Sequence, residues 1–222
     1  MTVAGIDSST KKIILQAAFS VIEDKGVKAL PSEFAPELEI TLFLFVSKPP
    51  KMELAVRQAV ECGVRRIVPV AGVFCQKGSI EAAKKKSSGK DDRWQRIINE
   101  AREQRGSAVA TEVTQVMSLE EALDFWQEIS GSSPAFVLYE RSEDTKNFRE
   151  AAKESGGAEK IALAVGAEGG ISPEEISFMK SRGFTAIHLE TNILRCETAA
   201  LYGIAAVQTI FCREENLSDH RG

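Results

Sequence analysis

The sequence predicts an α/β fold in which a mostly parallel β-sheet carries helices on both faces. From about residue 40, short apolar runs alternate with amphipathic stretches about six times, as repeated strand–helix units do. Some runs are apolar throughout rather than at alternate positions, which is typical of strands covered on both sides. The predicted strands are 40–48, 65–72, 107–113, 134–140, 160–166 and 185–190. The predicted helices are 49–63, 91–104, 118–130, 144–155, 172–183 and 197–211.

Composition excludes several classes of protein. Of the 222 residues, 43% are hydrophobic and 27% charged, so disordered and fibrous classes do not fit. No apolar run approaches the ~20 residues of a membrane span, and the N-terminus lacks the basic start and apolar block of a secretory signal. The four cysteines are too scattered for a zinc site or a disulfide scaffold. We therefore expect a cytoplasmic protein with reduced thiols, no metal and no membrane partner.

The first strand–helix unit covers residues 40–63. The strand ITLFLFVSK is β-branched and aromatic, and the two prolines after it suit the first turn of a helix. Met52 and Val56 recur at helical spacing and Gly63 marks the helix end. The run RRIVPVAG at 65–72 then predicts the second strand.

A basic segment follows at residues 77–96. It holds seven basic residues against three acidic ones, a net charge of +4 in a chain whose total is −4. Such asymmetry indicates either contact with a polyanion or a solvated, lysine-rich loop. We expect a loop at its start, followed by a polar helix with Trp94 and Ile97 on its apolar face.

Two later helices carry explicit start signals. Ser118 with Glu121 forms a capping-box pattern. Ser172 is an N-cap candidate, Pro173 occupies the first helical position and Gly183 stops the helix. The glycine-rich turn GAEGG closes the strand before this second helix, and a long, alanine-rich apolar helix ends the pattern.

Residues 1–39 differ from the rest. The run VAGIDSSTKKIILQAAFSVIE predicts a β-hairpin with a Ser-Ser-Thr turn, and a polar linker follows. This piece is too short for a core of its own, so it is either an appendage or the end of a barrel whose start is missing. We divide the chain into residues 1–39 and a main domain at 40–222.

Ligands of open parallel sheets bind at the carboxyl ends of the strands. Three strands here end in unusual turns, at 138–141, 166–172 and 189–198. The glycine turn has neither dinucleotide-fold nor phosphate-loop spacing, so it is either a ligand loop or merely a tight turn. Arg195 and Glu197 lie between an apolar strand and an apolar helix, where charged groups are either paired structurally or functional.

At these turns the sequence resembles a known family. The stretch VGAEGGISPEEISFMKSRGFTAIHLETNILRCETAALYGIAAVQ is similar to the C-terminal signature of the RsmE family, whose pattern is GPEGG followed by an LG-x-R-ILR-x-ETA run. Upstream, KPPKMELAVRQAVECGVRRIVPV and RWQRIINEAREQ resemble two further segments of that family. Because these motifs occur in the family's order, the resemblance extends over roughly residues 38–212.

The resemblance implies an S-adenosylmethionine-dependent methyltransferase of the SPOUT class that methylates N3 of a uridine in 16S ribosomal RNA. It implies a C-terminal trefoil knot whose loops bind the cofactor, and a homodimer packed around the last helix. A PUA-like β-barrel normally precedes the SPOUT domain, so residues 1–39 would be a partial remnant of it. Ribosomal RNA, or the small ribosomal subunit, would be the partner.

The same resemblance implies positions for the site. The implied cofactor-binding residues are Leu138, Tyr139, Glu140, Val165, Gly166, Glu168, Gly169, Gly170, Leu189, Ile193, Leu194 and Thr198. Arg195 is the candidate for stabilising negative charge on the uracil oxygens. Glu197 is either the base that removes the N3 proton or a residue that orients Arg195. The expected RNA-binding residues are Lys84, Lys85, Lys86 and Arg93.

Several positions depart from the family pattern. Ala167 replaces a proline, and Glu190 and Asn192 stand where the pattern has glycine and arginine. The stretch at 71–74 ends in Phe74 rather than arginine, and that at 104–107 is also altered. These departures support an alternative, a degenerate SPOUT dimer that binds RNA or assists ribosome assembly without methylation. A small-molecule enzyme that holds phosphate in the glycine turn is a third alternative, although the turn contains no basic residue.

Overall fold

The computed structural model describes residues 2–7, 12–16, 38–105, 109–141, 143–155 and 158–211. Its strands are β1 (Thr2–Asp7), β2 (Lys12–Gln16), β3 (Glu39–Phe45), β4 (Arg66–Ala71), β5 (Glu112–Val113), β6 (Met117–Ser118), β7 (Ala135–Leu138), β8 (Lys160–Val165) and β9 (Phe184–Ile187). Its helices are α1 (Pro49–Glu61), α2 (Lys77–Ser87), α3 (Arg93–Arg105), α4 (Leu119–Ser130), α5 (Phe148–Ser155), α6 (Pro173–Ser181) and α7 (Cys196–Phe211).

Seven strands form one sheet in the order β5-β4-β3-β8-β7-β9, with β6 also paired to β4. Every pairing in this sheet is parallel. The central pairs join distant parts of the chain, since Leu42 of β3 lies opposite both Ile67 of β4 and Leu163 of β8. The predicted parallel α/β sheet is therefore confirmed.

Alternate side chains of the strands face two hydrophobic cores. Leu42 and Leu44 of β3, with Leu163 of β8, belong to the core covered by α1, α2, α3, α5 and α7. Phe43 and Phe45 belong to the core covered by α4 and α6. Because consecutive strand residues point to opposite faces, a strand that is apolar throughout needs helices on both sides, as predicted.

The lysine-rich segment is a helix, and the prediction of a loop there is wrong. Ser79 and Ala83 of α2 are buried, and Ile80 packs partly against the core under α1 and α3. Lys84, Lys85 and Lys86 occupy its last turn, where positive charge stabilises the carbonyl end of a helix. The strand expected at 107–113 shrinks to β5, and residues 106–108 lie outside the described part of the chain.

The capping box predicted for α4 and the N-cap predicted for α6 are both present. The Ser118 hydroxyl accepts from the Glu121 amide, while the Glu121 carboxylate accepts from the Ser118 amide. The same reciprocal bonds join Ser172 and Glu175 at the start of α6. After α6, Gly183 has a φ of +88°, the left-handed conformation that terminates helices.

The end of β9 is hydrogen-bonded on both sides. On one side the Tyr139 amide donates to the Ile187 carbonyl at 2.9 Å. On the other side the Lys146 amide donates to the Ala186 carbonyl at 2.9 Å, and the His188 amide donates to the Lys146 carbonyl at 3.0 Å. The segment that leaves β7 therefore returns along the outer edge of β9 before α5 begins.

The N-terminal strands β1 and β2 pair antiparallel, with Asp7 opposite Lys12. This confirms a hairpin within the first 39 residues. The Ser-Ser-Thr turn and the predicted linker, at residues 8–11 and 17–37, lie outside the described residues.

Candidate functional site

A cavity of about 320 Å³ opens at the carboxyl edge of the sheet, where β8, β7 and β9 end side by side. Its volume is at the lower end of the range for small-molecule sites. Three chain segments that are far apart in sequence meet there because neighbouring parallel strands end at the same edge. Eleven predicted cofactor positions line the cavity: Leu138, Tyr139, Glu140, Val165, Gly166, Glu168, Gly169, Gly170, Leu189, Ile193 and Leu194.

Two glycines of the turn after β8, Gly166 and Gly170, occupy positions that disfavour a side chain. The Gly170 amide donates to the Ala167 carbonyl at 2.9 Å, and Gly170 has a φ of +77°, which favours glycine. A Cβ at Gly166 would lie 2.9 Å from the Gly170 carbonyl carbon and 2.9 Å from the Ile171 side chain. At these two positions the turn has only backbone atoms next to the cavity.

Neighbouring side chains hold the same turn from outside. A Cβ at Gly169 would lie 2.8 Å from the Phe74 Cβ, and one at Gly170 would lie 3.2 Å from a Glu140 carboxylate oxygen. Phe74 thus packs directly against Gly169, and Glu140 reaches the turn from the end of β7. Substituting either glycine would displace one of these contacts.

The loop after β9 supplies the apolar wall of the cavity. Leu189 and Leu194 are half-buried, whereas Ile193 is 88% exposed. Glu190 is exposed and does not line the cavity. The glutamate that replaces the family's glycine therefore leaves the cavity open.

Glu168 connects the glycine turn to α1. Its carboxylate accepts a hydrogen bond from the Lys48 amide at 3.1 Å and lies 3.5 Å from the Lys51 ammonium group. Lys48 is the N-cap residue of α1, so Glu168 places a negative charge at the positive end of that helix. This contact fixes the position of the turn relative to the end of β3.

Arg195 and Glu197 lie at the start of α7, outside the cavity lining. Arg195 is exposed, while Glu197 is buried. Burial by itself raises the pKa of Glu197. Its own backbone amide, the Cys196 thiol and the charges of Lys51 and Arg195 together outweigh burial and lower that pKa below the ordinary value. Glu197 is therefore ionised at neutral pH and is a weak base.

Cys196 lines the cavity but is not a nucleophile. Burial, followed by the hydrogen bond and charge of Glu197, raises the pKa of its thiol to about 11. The Cys196 Sγ donates to a Glu197 carboxylate oxygen at 3.2 Å. Since the thiolate is the reactive form, this cysteine is inert at neutral pH.

The predicted RNA-binding residues do not lie at the cavity. Lys86 and Arg93 both pair with Glu53 of α1, with an Arg93 Nε–Glu53 distance of 3.1 Å. Lys84 pairs with Glu81 within α2 at 3.2 Å, and Lys85 is exposed. Burial raises the pKa of Glu53, but hydrogen bonds and charges from Lys86 and Arg93 outweigh it and lower the pKa overall.

Seven residues that line the cavity were not among the predicted cofactor positions, and their only sequence signal is that they lie in or next to the predicted loops. They are Ala167, Ile171, His188, Thr191, Asn192, Cys196 and Ala199. Thr198, which was expected to bind the cofactor, is exposed outside the lining. Thr198 follows Glu197 in the first turn of α7. It does not face the cavity because only some positions of a helical turn can face the same side.

Within the described residues, no group of three or more His, Cys, Asp or Glu side chains is placed to hold a metal ion. Among the same residues, no helix is long and apolar enough to cross a membrane.

A parallel α/β sheet with a glycine-lined cavity at its carboxyl edge defines a class of proteins that bind a small-molecule cofactor there. A family model described as an RNA methyltransferase domain matches residues 35–208. The chain belongs to this family and, within it, to the RsmE family. A relative from Aquifex aeolicus, ribosomal RNA small subunit methyltransferase E, is 30% identical over 179 residues, or 79% of this chain and 70% of the relative. A second such methyltransferase, from Borreliella burgdorferi, is 29% identical over 192 residues, or 83% of this chain and 69% of that protein.

Two solved structures share the fold and carry a ligand. The ribosomal RNA small subunit methyltransferase E of Neisseria gonorrhoeae, bound to S-adenosyl methionine, superposes with a TM-score of 0.66 at 30% identity, covering 78% of this chain and 67% of that one. A Legionella pneumophila protein described as a methyltransferase in complex with the bound cofactor gives a TM-score of 0.66 at 29% identity, covering 79% and 68%.

Proposed function

We propose that this protein is an S-adenosylmethionine-dependent methyltransferase that modifies N3 of a uridine in the RNA of the small ribosomal subunit, in the cytoplasm. One observation carries the proposal. Three segments predicted to bind the cofactor, far apart in sequence, line a single cavity in a chain that belongs to the RsmE family.

The cavity suits this cofactor chemically. Gly166 and Gly169 leave no room for a Cβ, and Gly170 has a positive φ that favours glycine, so backbone groups can approach an adenosine closely. Leu189 and Leu194 provide apolar surface for the adenine ring. When bound, the cofactor supplies a methyl group that is carried on a positively charged sulfur. Transfer of this methyl group needs no metal.

The residues at the start of α7 act on the methyl acceptor. Uracil N3 carries a proton at neutral pH. When this proton is transferred to solvent water at the exposed end of the site, negative charge remains on the uracil oxygens. Arg195 is exposed beside the cavity-lining residues Leu194 and Cys196, where its guanidinium group stabilises that charge. Glu197, ionised and buried, positions Arg195 rather than accepting the proton.

We extend the proposal to a trefoil knot. The hydrogen bonds of the Tyr139 and Lys146 amides lie on opposite sides of the end of β9. They support a loop at 139–146 through which the segment after His188 passes. Knots are otherwise almost absent from proteins. Here the threading would keep the cofactor loops together.

The protein is also proposed to act as a homodimer packed around α7. This helix buries Ile204 and Val207 on one side and exposes Leu201 (36%) and Tyr202 (48%) on another. Such exposed apolar residues are typical of protein interfaces. In the same proposal, the basic segment with Lys84, Lys85, Lys86 and Arg93 attracts RNA phosphates. It does so chiefly through the exposed Lys84 and Lys85, because Lys86 and Arg93 pair with Glu53. Residues 1–39 are proposed to form a partial PUA-like segment.

Mass spectrometry of nucleosides tests the methyl transfer. Small ribosomal subunits with unmodified RNA are incubated with the protein and S-adenosylmethionine, then digested. We expect one 3-methyluridine per subunit, and none without the protein. Binding to subunits without any methylated nucleoside would contradict the proposed activity and support the degenerate RNA-binding dimer instead.

A further inference from the structure

Two exposed apolar side chains lie beside the cavity, in the loop that follows β4. Val73 is 71% exposed and Phe74 is 48% exposed. Phe74 does not line the cavity, but it packs against Gly169, which does. A large aromatic surface therefore lies next to the opening of the cavity and remains accessible to solvent.

This loop is held rigidly. The Val73 amide donates to a Glu175 carboxylate oxygen at 2.8 Å, and the Gly72 amide donates to the Cys75 sulfur at 3.2 Å. A Cβ at Gly72 would lie 2.4 Å from the Phe45 ring, so the backbone is pressed against the core. The backbone that carries Phe74 is thus held by the fold.

Charged side chains of both signs lie near Phe74. The acidic ones are the buried Glu175, which accepts from the Val73 amide, and Glu168, the neighbour of Gly169. Lys77 is exposed three residues further along, at the start of α2. Lys48 is exposed at the end of β3, and Lys51 lies 3.5 Å from Glu168. Arg195 is exposed between the cavity-lining residues Leu194 and Cys196. An exposed aromatic ring with solvent-accessible basic side chains in neighbouring segments is an arrangement that suits single-stranded nucleic acid.

We infer that Phe74 is a stacking surface for a base of the substrate RNA, either the target uridine or its neighbour. This inference rests on the proposed function. A methyl acceptor must approach the donor closely, so nucleotides at the target must pass over whatever surrounds the cavity opening. Stacking tolerates any base and supplies binding energy, while the basic side chains bind phosphates. The aromatic ring would thus contribute binding where the family pattern has an arginine.

The test separates stacking from simple hydrophobic contact. Phe74→Ala and Phe74→Leu remove the ring, Phe74→Trp restores an aromatic surface, and Phe178→Ala is a control on α6, where Phe178 is 36% exposed. Two quantities are measured for each variant: the dissociation constant for small ribosomal subunits with unmodified RNA, and the KM for the same subunits in methyl transfer. Calorimetry with S-adenosylmethionine and sedimentation velocity report on the cofactor site and the oligomeric state.

We expect the Ala and Leu variants to raise both the dissociation constant and the KM about tenfold. The dissociation constant is measured without cofactor, so the loss of the contact between Phe74 and Gly169 in the cofactor turn does not contribute to it. Phe74→Trp and Phe178→Ala should remain within twofold of the wild type. Unchanged subunit affinity in the Ala and Leu variants would overturn the inference. A smaller sedimenting species in these variants would also overturn the inference, because Phe74 would then be a contact between two protomers. A wild type that does not bind ribosomal subunits would overturn it as well. A wild type that binds subunits without methylating them would contradict the proposed function alone, since the dissociation constants would still measure the stacking.

Discussion

Arg195 and Glu197 are two residues apart at the start of α7, but their surroundings differ. Arg195 is exposed to solvent and to any ligand that approaches the cavity, whereas Glu197 is buried and bonded to the Cys196 thiol. The sequence left open whether Glu197 is a base or an orienting residue. Its lowered pKa favours the orienting role, because a good general base has a pKa near the working pH.

Replacement of Arg195 is expected to affect chemistry more than cofactor binding. Arg195→Ala should lower kcat by about 10²–10³-fold, the usual cost of losing one group that stabilises developing negative charge. Arg195→Lys should retain part of the activity, because the charge persists without the planar guanidinium group. Methyl-transfer kinetics, with calorimetry of the cofactor as control, measure this. Full turnover by Arg195→Ala would exclude the proposed role.

Glu197 should contribute a pH-dependent part of the stability. Its folded-state pKa is lowered, so its contribution is present above the unfolded pKa of about 4.3 and is lost as pH falls through the folded pKa. Glu197→Gln should lower the free energy of unfolding by about 1 kcal/mol at pH 7, the typical value for a carboxylate at a helix start. Urea denaturation at pH 7 and pH 3.5 tests this. The difference between wild type and variant should shrink at the lower pH, and a constant difference would contradict the assignment.

At the scale of elements, local signals were sufficient for α4 and α6, because Ser118 and Ser172 bond to residues only three positions away. The helix α2 could not be predicted this way. It is stabilised by packing of small residues such as Ala83 and by Lys86, whose partner Glu53 lies 33 residues away. Long-range contacts of this kind leave almost no periodic pattern in the sequence.

Glu53 is expected to hold α2 and α3 on α1. Its carboxylate pairs with Lys86, whose side chain is 13% exposed, and with Arg93. Glu53→Gln should lower the free energy of unfolding by about 1–3 kcal/mol, because a poorly solvated ammonium group loses its partner. The matched control is Glu81→Gln, since Glu81 and Lys84 form an exposed pair worth less than about 0.5 kcal/mol. Equal losses in the two variants, measured by urea denaturation, would remove the special role of Glu53.

At the scale of the whole molecule, the location of the site was predictable, but its internal arrangement was not. Parallel strands end at one edge, so the turns after β7, β8 and β9 had to lie on the same side of the sheet. The order β8-β7-β9, and the return of Lys146 along β9, depend on pairings between distant residues. The contact of Glu168 with the Lys48 amide, 120 residues away, likewise has no local signature.

Dimerisation can be tested on the exposed side of α7. Tyr202→Glu places a charge among the exposed apolar residues of this helix, so it should convert a dimer into a monomer at micromolar concentration and abolish methyl transfer. Phe178→Glu on α6 is the control and should leave the mass unchanged. Sedimentation equilibrium gives both masses. A wild-type monomer, or a Tyr202→Glu dimer, would exclude this interface.

Calorimetry with S-adenosylmethionine measures the cofactor site most directly. We expect the wild type to bind one molecule per chain. Gly166→Ala should bind at least tenfold more weakly, because the added Cβ meets the backbone of Gly170 and shifts the turn. Gly78→Ala, whose Cβ would meet nothing within 4 Å, should bind like the wild type. A folded wild type that releases no binding heat, or equal affinity in Gly166→Ala, would contradict the assignment of this cavity.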